Sequence, residues 1–263
     1  MNLFMTGLKV KMNFKIFKKP KLEFVALLPE VAQIMPILPA SKHQWQWAKD
    51  ALENYKKEKD NNKTNRFTHV SRCPGILGIT KSGWIQRAWQ DIVIETNGDG
   101  KSFKWKTPIN QAVTDSDNNW KWDYVSHHPE ELFGLYNPDK NCLQTIIKIQ
   151  SPWMVYIPKG YYLMSMPLPY PDRHEWTAAT GFLDPDYGPN FLNVQMFWHN
   201  LNGQTVIPAG TPLCQYILVK KQSVETIVRE CNNNDIDNLR LRASAIDCKY
   251  QSNYTILKDL KWK

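Results

Sequence analysis

Apolar residues recur every three or four positions in residues 42–60, a stretch that contains neither proline nor glycine. They are Trp45, Ala48, Leu52 and Tyr55. Because positions three and four apart share one face of an α-helix, this spacing predicts an amphipathic helix near residues 42–60. Similar spacing of apolar residues predicts a C-terminal helix near residues 221–231.

Alternation of apolar and polar residues predicts β-strands in much of the remaining chain. Residues 84–95 form one such run, and residues 102–107 form another, in which Phe103 and Trp105 alternate with lysines. The sequence Asn-Gly-Asp-Gly separates the two runs at residues 97–100. Since Asn-Gly and Asp-Gly favour tight turns between paired strands, the runs are predicted to form an antiparallel hairpin.

The domain organisation is inferred from these strands and from the positions of the prolines. Prolines interrupt the apolar runs of residues 1–40 and cannot donate to a β-ladder, so an N-terminal arm and edge strands are expected there. Within this segment, residues 1–11 are interpreted as a leader before Met12. Residues 41–263 contain no linker-like stretch and are expected to form a single β-rich domain. The predicted fold class is α+β and mostly β, a β-sandwich or barrel with a few peripheral helices.

One shared interior is predicted for the strands between Trp153 and Ile217, because the strands of a sandwich enclose a common core. The residues expected in it are Trp153, Val155, Ile157, Phe191, Val194, Met196, Ile207, Leu213, Tyr216 and Ile217. Hydrophobic residues make up 42% of the 263 residues and aromatic residues 12%. This composition supplies enough apolar surface for such a core and excludes global disorder.

Two further classes of protein are excluded by the sequence. The longest apolar stretch, Phe24 to Leu38, is broken by Pro29, Glu30 and Pro36. A membrane-spanning helix needs about 20 consecutive apolar residues, so no membrane association is expected. The five cysteines are widely spaced and include no C-x-x-C pair, which excludes zinc ribbons and favours reduced thiols in a cytosol.

The net charge of +8 favours nucleic acid or another polyanion as a partner. The basic residues are spread along the chain, however, so a solubilising surface is the preferred interpretation. Several of the eleven tryptophans lie among lysines, where they could stack single-stranded bases or serve as core anchors. In residues 103–106 the alternation separates the rings from the lysines, which favours the core interpretation there.

Three motifs follow one another between Trp153 and Val219. They are WMVYIPKGYY, GFLDPDYG and IPAGTPLCQYI. Their order, a Pro-x-Gly-Tyr turn, a Gly-apolar-apolar-Asp loop and an I-x-x-G-x-x-x-x-Q strand, resembles the core of the dUTPase and dCTP deaminase superfamily. The resemblance implies a dUTPase-like β core. It also implies a nucleotide hydrolase in which magnesium neutralises the phosphates.

The resemblance assigns roles to residues in and near the middle motif. Asp184 would orient the attacking water, and Tyr187 would stack on the base or sugar. Asp186 would contact a metal or ligand. The phosphate-facing arginine expected after Tyr187 is missing, and Arg173, which lies outside the motif, could replace it only by coincidence and is kept as a ligand-binding candidate. An Arg-Ser pair and a glycine-rich C-terminal arm are also missing from the sequence. The preferred alternative is a tight loop in which Asp184 and Asp186 cap backbone amides.

The histidines suggest a different chemistry. Asp172, His174, Glu175 and His199 could supply the two histidines and one carboxylate that bind Fe(II) in a double-stranded β-helix enzyme. The usual His-x-Asp order is reversed in Asp172-x-His174, so a surface or hydrogen-bonding histidine is preferred. His174 is kept as a ligand-binding candidate, and no metal site is predicted.

A second resemblance covers most of the chain. The segments that carry it are RCPGI, GWIQRAWQDIVIE, SPWMVYIPKGYY, GFLDPDY and IPAGTPLCQ. They are similar to segments of an uncharacterised, largely phage-encoded family that is filed as a domain of unknown function. This resemblance implies a phage or phage-derived source and the cytoplasm of a bacterial host as the location, with the virion as the alternative. It implies no activity.

These observations predict a phage-encoded accessory protein that acts as a non-catalytic binding or assembly module, because phosphate-binding motifs are missing. The alternatives are a magnesium-dependent nucleotide hydrolase with a rebuilt phosphate site and the Fe(II)-dependent enzyme. The expected ligand is a nucleotide or another polyanion. A homo-oligomer, either a dimer or a trimer, is also predicted, because the N-terminal segment suits an arm that lies across a neighbour.

Overall fold

Short strands carry most of the regular structure in this computed structural model, which describes residues 19–60, 73–113, 121–128, 141–187 and 190–247. The strands are β1 (Glu23–Ala26), β2 (Leu38–Pro39), β3 (Trp84–Arg87), β4 (Ile92–Asn97), β5 (Phe103–Lys106), β6 (Gln111–Val113), β7 (Lys121–Asp123), β8 (Val125–His127), β9 (Ile147–Ile149), β10 (Trp153–Tyr156), β11 (Tyr161–Met166), β12 (Trp176–Ala178), β13 (Gly181–Leu183), β14 (Asn190–Phe191), β15 (Val194–Trp198), β16 (Asn202–Ile207) and β17 (Pro212–Lys220). The helices are α1 (Pro29–Ile34), α2 (Gln46–Asp60), α3 (Pro74–Lys81) and α4 (Asn233–Asp247). The predicted fold class, α+β and mostly β, is confirmed.

The described strands form five sheets that surround one main core. The largest sheet has the order β13-β11-β17-β3-β2, and a four-stranded sheet has the order β12-β15-β9-β8. Side chains alternate between the two faces of each strand, as pleating requires. In β15, for example, Val194, Met196 and Trp198 are buried whereas Gln195 is exposed.

The predicted shared interior is confirmed for most of its members. Phe191 and Ile217 are only half-buried. The other eight are buried in the main core: Trp153, Val155, Ile157, Val194, Met196, Ile207, Leu213 and Tyr216. Full burial of a large apolar side chain stabilises a fold by roughly 1.5–3 kcal/mol relative to exposure, so this cluster is a major source of stability.

The predicted hairpin is confirmed, but its first strand is shorter than expected. Strands β4 and β5 pair antiparallel across the Asn-Gly-Asp-Gly turn, with Ile94 opposite Trp105. The prediction of a single strand over residues 84–95 is wrong, because this stretch contains two strands, β3 and β4, that belong to different sheets. Between them the chain bends around the loop before β17, where the Ala88 amide donates to the Thr211 carbonyl at 2.9 Å and the Ala88 carbonyl accepts from Gly210 at 2.7 Å.

The prediction of a C-terminal helix near residues 221–231 is wrong, because this segment forms neither helix nor strand and the helix begins at Asn233. The apolar residues that suggested a helical face are mostly solvent-exposed: Val224 is 73% exposed and Val228 is 93% exposed. Asn232 and Asp235 cap the real helix reciprocally, since the Asp235 amide donates to Asn232 Oδ1 at 3.1 Å and the Asn232 amide donates to Asp235 Oδ2 at 2.9 Å. This arrangement is a capping box, and it sets the start of α4.

The N-terminal segment, as far as the structure describes it, packs on its own chain. Strand β1 pairs antiparallel with β10, and β2 pairs with β3. Val31 of α1 lies in the main core and is 5% exposed. Residues 23–39 thus pair within their own chain, and the arm across a neighbour stays a prediction; residues 1–18 lie outside the described residues.

Helix α2 begins at Gln46, after a short 3₁₀ turn at Ala40–Lys42. The backbone amides of Gln46 and Trp47 both point toward the Asp172 carboxylate at 3.4 Å. A carboxylate at a helix N-terminus stabilises the unpaired amides there, so a distant loop sets the start of this helix. Within the described residues, no helix is both long and apolar enough to cross a membrane.

Candidate functional site

The loop that contains Asp184 connects β13 to a 3₁₀ turn at Pro185–Tyr187. The backbone amide of Asp186 donates to Asp184 Oδ1 at 3.1 Å, so Asp184 caps this loop as the preferred alternative predicted, whereas the Asp186 carboxylate accepts from the side chain of Lys221. The side chain of Tyr187 lies outside the described residues, so its stacking role stays a prediction.

A lysine holds the two carboxylates of this loop. Lys221 follows directly after β17, and its Nζ donates to Asp184 Oδ1 at 2.6 Å and to Asp186 Oδ2 at 2.7 Å. The hydrogen bond from Lys221 lowers the pKa of Asp184, and the two carboxylates raise the pKa of Lys221 above its usual range. Lys221, Asp184 and Asp186 form an ion-pair cluster, which we call the Lys221 cluster.

Aromatic rings support the Lys221 cluster. The Lys221 ammonium lies 4.4 Å from the centroid of the Tyr162 ring, a cation–π contact. The Tyr162 ring in turn packs against Phe182, with centroids 5.1 Å apart. The backbone amide of Lys221 donates to the Gly160 carbonyl at 2.8 Å, which fixes the start of its side chain. The lysine is only 22% exposed, so its position is determined by several contacts at once.

The cluster bears on whether this loop suits a divalent metal. Magnesium binds oxygen ligands, and Asp184 and Asp186 are carboxylates of that type. One oxygen of each, Asp184 Oδ1 and Asp186 Oδ2, accepts a hydrogen bond from the Lys221 ammonium group, which would repel a second cation at the same place. The residues present therefore do not fit a magnesium site while Lys221 stays in place.

Arg173 and His174 belong to a separate group of residues. The Arg173 guanidinium donates to Glu175 through Nε at 3.1 Å and through a terminal nitrogen at 2.5 Å. Its other terminal nitrogen donates to the Val206 carbonyl at 2.9 Å, and the guanidinium lies 5.2 Å from the Trp176 ring. The hydrogen bond from Arg173 lowers the pKa of Glu175. In the part of the chain described, no hydrogen bond or ion pair joins Arg173 to the Lys221 cluster.

The histidines do not converge on a metal site. His174 is exposed, and His199 Nε2 lies 2.8 Å from Thr177 Oγ1. Among the residues that the structure describes, no group of three or more histidine, cysteine, aspartate or glutamate side chains is arranged to hold a metal ion. The described donors thus give the Fe(II) alternative no support.

A cavity of about 430 Å³ lies next to Arg173, and we call it the Trp45–Trp176 cavity. It is lined by His43, Trp45, Pro167, Leu168, Pro171, Asp172, Arg173, Trp176, Thr177, Ala178, Thr211, Pro212 and Leu213. The His43 ring packs edge-on against the Trp45 ring, with centroids 4.7 Å apart. Burial lowers the pKa of His43, so the imidazole that lines the cavity is neutral at neutral pH.

The sequence predicted some of these residues and missed others. Arg173 was predicted as a ligand-binding residue and does line the cavity, whereas Asp184 and Asp186 do not. Lys221 was missed because it is 37 residues from Asp184 in the sequence and nothing local marks it. Trp45 and Trp176 lie on elements far apart in the chain, so only the tertiary fold brings them to one cavity.

Comparisons with known proteins add little to this geometry. No protein-family model matches the chain, and no curated protein matches it. A solved structure of a mutant dUTPase from phage phi11 of S. aureus aligns with a TM-score of 0.31 and 13% sequence identity, covering 57% of this chain and 84% of that one. A structural similarity at this level says nothing about function. The proposed function is therefore argued from the site itself.

Proposed function

We propose that this chain is a non-catalytic binding module and that its ligand site is the Trp45–Trp176 cavity. The observation that carries the proposal is the Lys221 cluster, in which one ammonium occupies both carboxylates of the loop. An ammonium between two carboxylates already balances part of their charge and repels a metal ion from the same place. With Asp184 and Asp186 held by Lys221, the loop has a structural role and binding takes place elsewhere.

The composition of the cavity supports a small planar ligand. Its volume of about 430 Å³ is within the range of small-molecule sites. Two tryptophans and three prolines supply flat apolar walls, and Asp172 and Arg173 supply polar groups. Arg173 is already paired with Glu175, and His43 is neutral, so a nucleobase or similar ring suits the cavity better than a triphosphate.

Self-association is a further part of the proposal. The segment after β17 exposes apolar side chains: Val224, Ile227, Val228, Leu239 and Leu241 are between 53% and 93% exposed. Exposed apolar side chains in one segment favour association, so a homo-oligomer with this segment at its interface is expected. A phage-derived source and the host cytoplasm, with the virion as the alternative, remain part of the same proposal.

A thermal-shift screen tests the binding function. Nucleosides and nucleotides are added with and without magnesium, and a ligand of the folded state at 100 times its Kd raises the unfolding free energy by about 2.7 kcal/mol. Thr177→Trp fills the cavity from an exposed position on β12 and should abolish the shift. Gln204→Trp, at an exposed position on β16 outside the cavity, is the matched control. A shift that Thr177→Trp leaves unchanged would refute this assignment of the site.

A further inference from the structure

Asp172 is the one acidic residue among the described residues that line the Trp45–Trp176 cavity. It is exposed, and it forms no ion pair with any residue that the structure describes. Its Oδ2 accepts from the Gln46 amide and its Oδ1 from the Trp47 amide, each at 3.4 Å, which is longer than a typical N–H···O hydrogen bond. An ionised carboxylate can accept about four hydrogen bonds. Asp172 therefore keeps capacity for a donor from a bound ligand.

The arginine of the same cavity does not neutralise Asp172. Arg173 forms its ion pair with Glu175 and also donates to the Val206 carbonyl at 2.9 Å. Its guanidinium lies 5.2 Å from the centroid of the Trp176 ring, a cation–π contact that further fixes its position. Since Arg173 and Glu175 compensate each other, the Asp172 carboxylate is the charged group of the lining that is left for a ligand.

His43 adds no positive charge to the lining at neutral pH. Burial lowers the pKa of His43, and the nearby Asp172 carboxylate acts in the opposite direction. Arg87 and Lys49 also lower the pKa of His43, but neither of them lines the cavity. A ligand in the cavity therefore meets a neutral imidazole and a carboxylate, and the carboxylate favours a ligand that presents a hydrogen-bond donor to it.

We propose that the Trp45–Trp176 cavity binds planar rings that carry an exocyclic amino group, and that Asp172 selects them. This inference rests on the proposed function and deepens it, because it names the group that the ligand presents to the protein. The amino group of a ring such as adenine or cytosine donates to a carboxylate, and a hydrogen bond to a charged acceptor is roughly twice as strong as one between neutral groups. A carbonyl oxygen at the same place, as in uracil, has no hydrogen to donate and is repelled by the carboxylate.

Isothermal titration calorimetry of the full chain with two pairs of nucleosides tests the proposal. Adenosine is compared with purine riboside, which lacks the amino group, and cytidine is compared with uridine, which has a carbonyl oxygen in its place. The amino-bearing member of at least one pair should bind roughly 10-fold more tightly or better, because one hydrogen bond to a charged group is at stake. The pair that shows the preference tells whether the ring is a purine or a pyrimidine.

Two variants assign the preference to Asp172. Asp172→Asn should lose it, because the amide removes the charge and replaces one acceptor oxygen with a donor, while asparagine still caps the start of α2. Asp50→Asn, at an exposed carboxylate on α2 outside the cavity, should keep it. Circular dichroism of each variant shows whether the fold is retained.

The outcomes separate this inference from the proposed function. Equal binding within both pairs, or a preference that a folded Asp172→Asn variant retains, would overturn the inference. The proposed site would still stand if Thr177→Trp abolished that binding. Binding of none of the four nucleosides would overturn the inference together with the nucleobase-like ligand of the proposed function.

Discussion

Lys221 Nζ lies 2.6 Å from Asp184 Oδ1, so the carboxylate that the sequence placed at the centre of a catalytic loop is bound to a lysine from the end of β17. The same ammonium reaches Asp186 at 2.7 Å. This contact ties the loop after β13 to the point where the C-terminal segment leaves the sheet. The two carboxylates of the loop therefore share one counter-ion.

Removing the lysine should destabilise the protein. In Lys221→Gln, Asp184 and Asp186 lose their shared counter-ion and repel each other, so the melting temperature is expected to fall. The neighbouring Lys220→Gln changes an exposed lysine that forms no ion pair with the described residues, and it should melt like the wild type. Thermal denaturation followed by circular dichroism makes the comparison. Equal melting temperatures for the two variants would show that the Lys221 cluster does not contribute to stability.

Gly83 should be intolerant of any side chain. Its φ is +71°, and a Cβ there would lie 1.8 Å from the Tyr216 carbonyl oxygen, an overlap with backbone that cannot move aside easily. Gly83→Ala is expected to lower the unfolding free energy by about 3 kcal/mol or more. Gly78→Ala, inside α3 with open space around it, should instead raise the unfolding free energy by about 0.5–1 kcal/mol. Urea denaturation measures both, and a mild effect at Gly83 would contradict the described turn.

A buried hydrogen-bond chain should be sensitive to loss of one hydroxyl. Tyr216 donates to Gln86 Oε1 at 2.7 Å, and Gln86 Nε2 donates to the Leu192 carbonyl at 3.0 Å. Tyr216→Phe leaves a buried amide oxygen without its donor, which should cost about 1–3 kcal/mol of unfolding free energy. Tyr156→Phe, at a position that is 58% exposed, is the matched control and should cost little. Denaturant unfolding in which the two variants cannot be told apart would argue against the buried contact.

His43 should make stability depend on pH. Burial lowers its pKa below the usual 6.5, with Arg87 and Lys49 acting in the same direction and Asp172 opposing them. The unfolded chain therefore takes up the proton first, and the wild type should lose stability as the pH falls through 6.5 toward the lower folded-state pKa. His43→Gln should remove this part of the pH dependence, whereas His174→Gln, at an exposed position, should retain it. Melting temperatures measured between about pH 8 and pH 5 test this prediction. If His43→Gln showed the same dependence of melting temperature on pH as the wild type, His43 would not be the group responsible.

Local signals explain what could be predicted from the sequence. The Asn-Gly-Asp-Gly turn and the alternation around it predict β4 and β5, because a tight turn fixes the register of the strands that it joins. The strand before the turn was predicted too long, because only the tertiary corner at Ala88 divides it between two sheets. Helical spacing at residues 224–231 was misleading, since no described core lies opposite those side chains.

The candidate site depended more heavily on long-range contacts. Asp184 and Asp186 were found from a motif and Arg173 was a candidate outside it, but their partners Lys221 and Glu175 decide what they can do. Lys221 reaches the loop because β11 pairs with both β13 and β17. The pairing of three strands is a property of the whole sheet, and no pattern around residue 221 reveals it.

Pyrophosphate release from dUTP and dCTP in the presence of magnesium tests the central claim most directly. Because Lys221 holds both carboxylates, the wild-type protein is expected to release no more pyrophosphate than a blank without protein, and Asp184→Asn is expected to behave in the same way. The contradicting result would be pyrophosphate release by the wild type above the blank that is lost in Asp184→Asn. It would show that the loop is catalytic and that the protein is not a non-catalytic binding module.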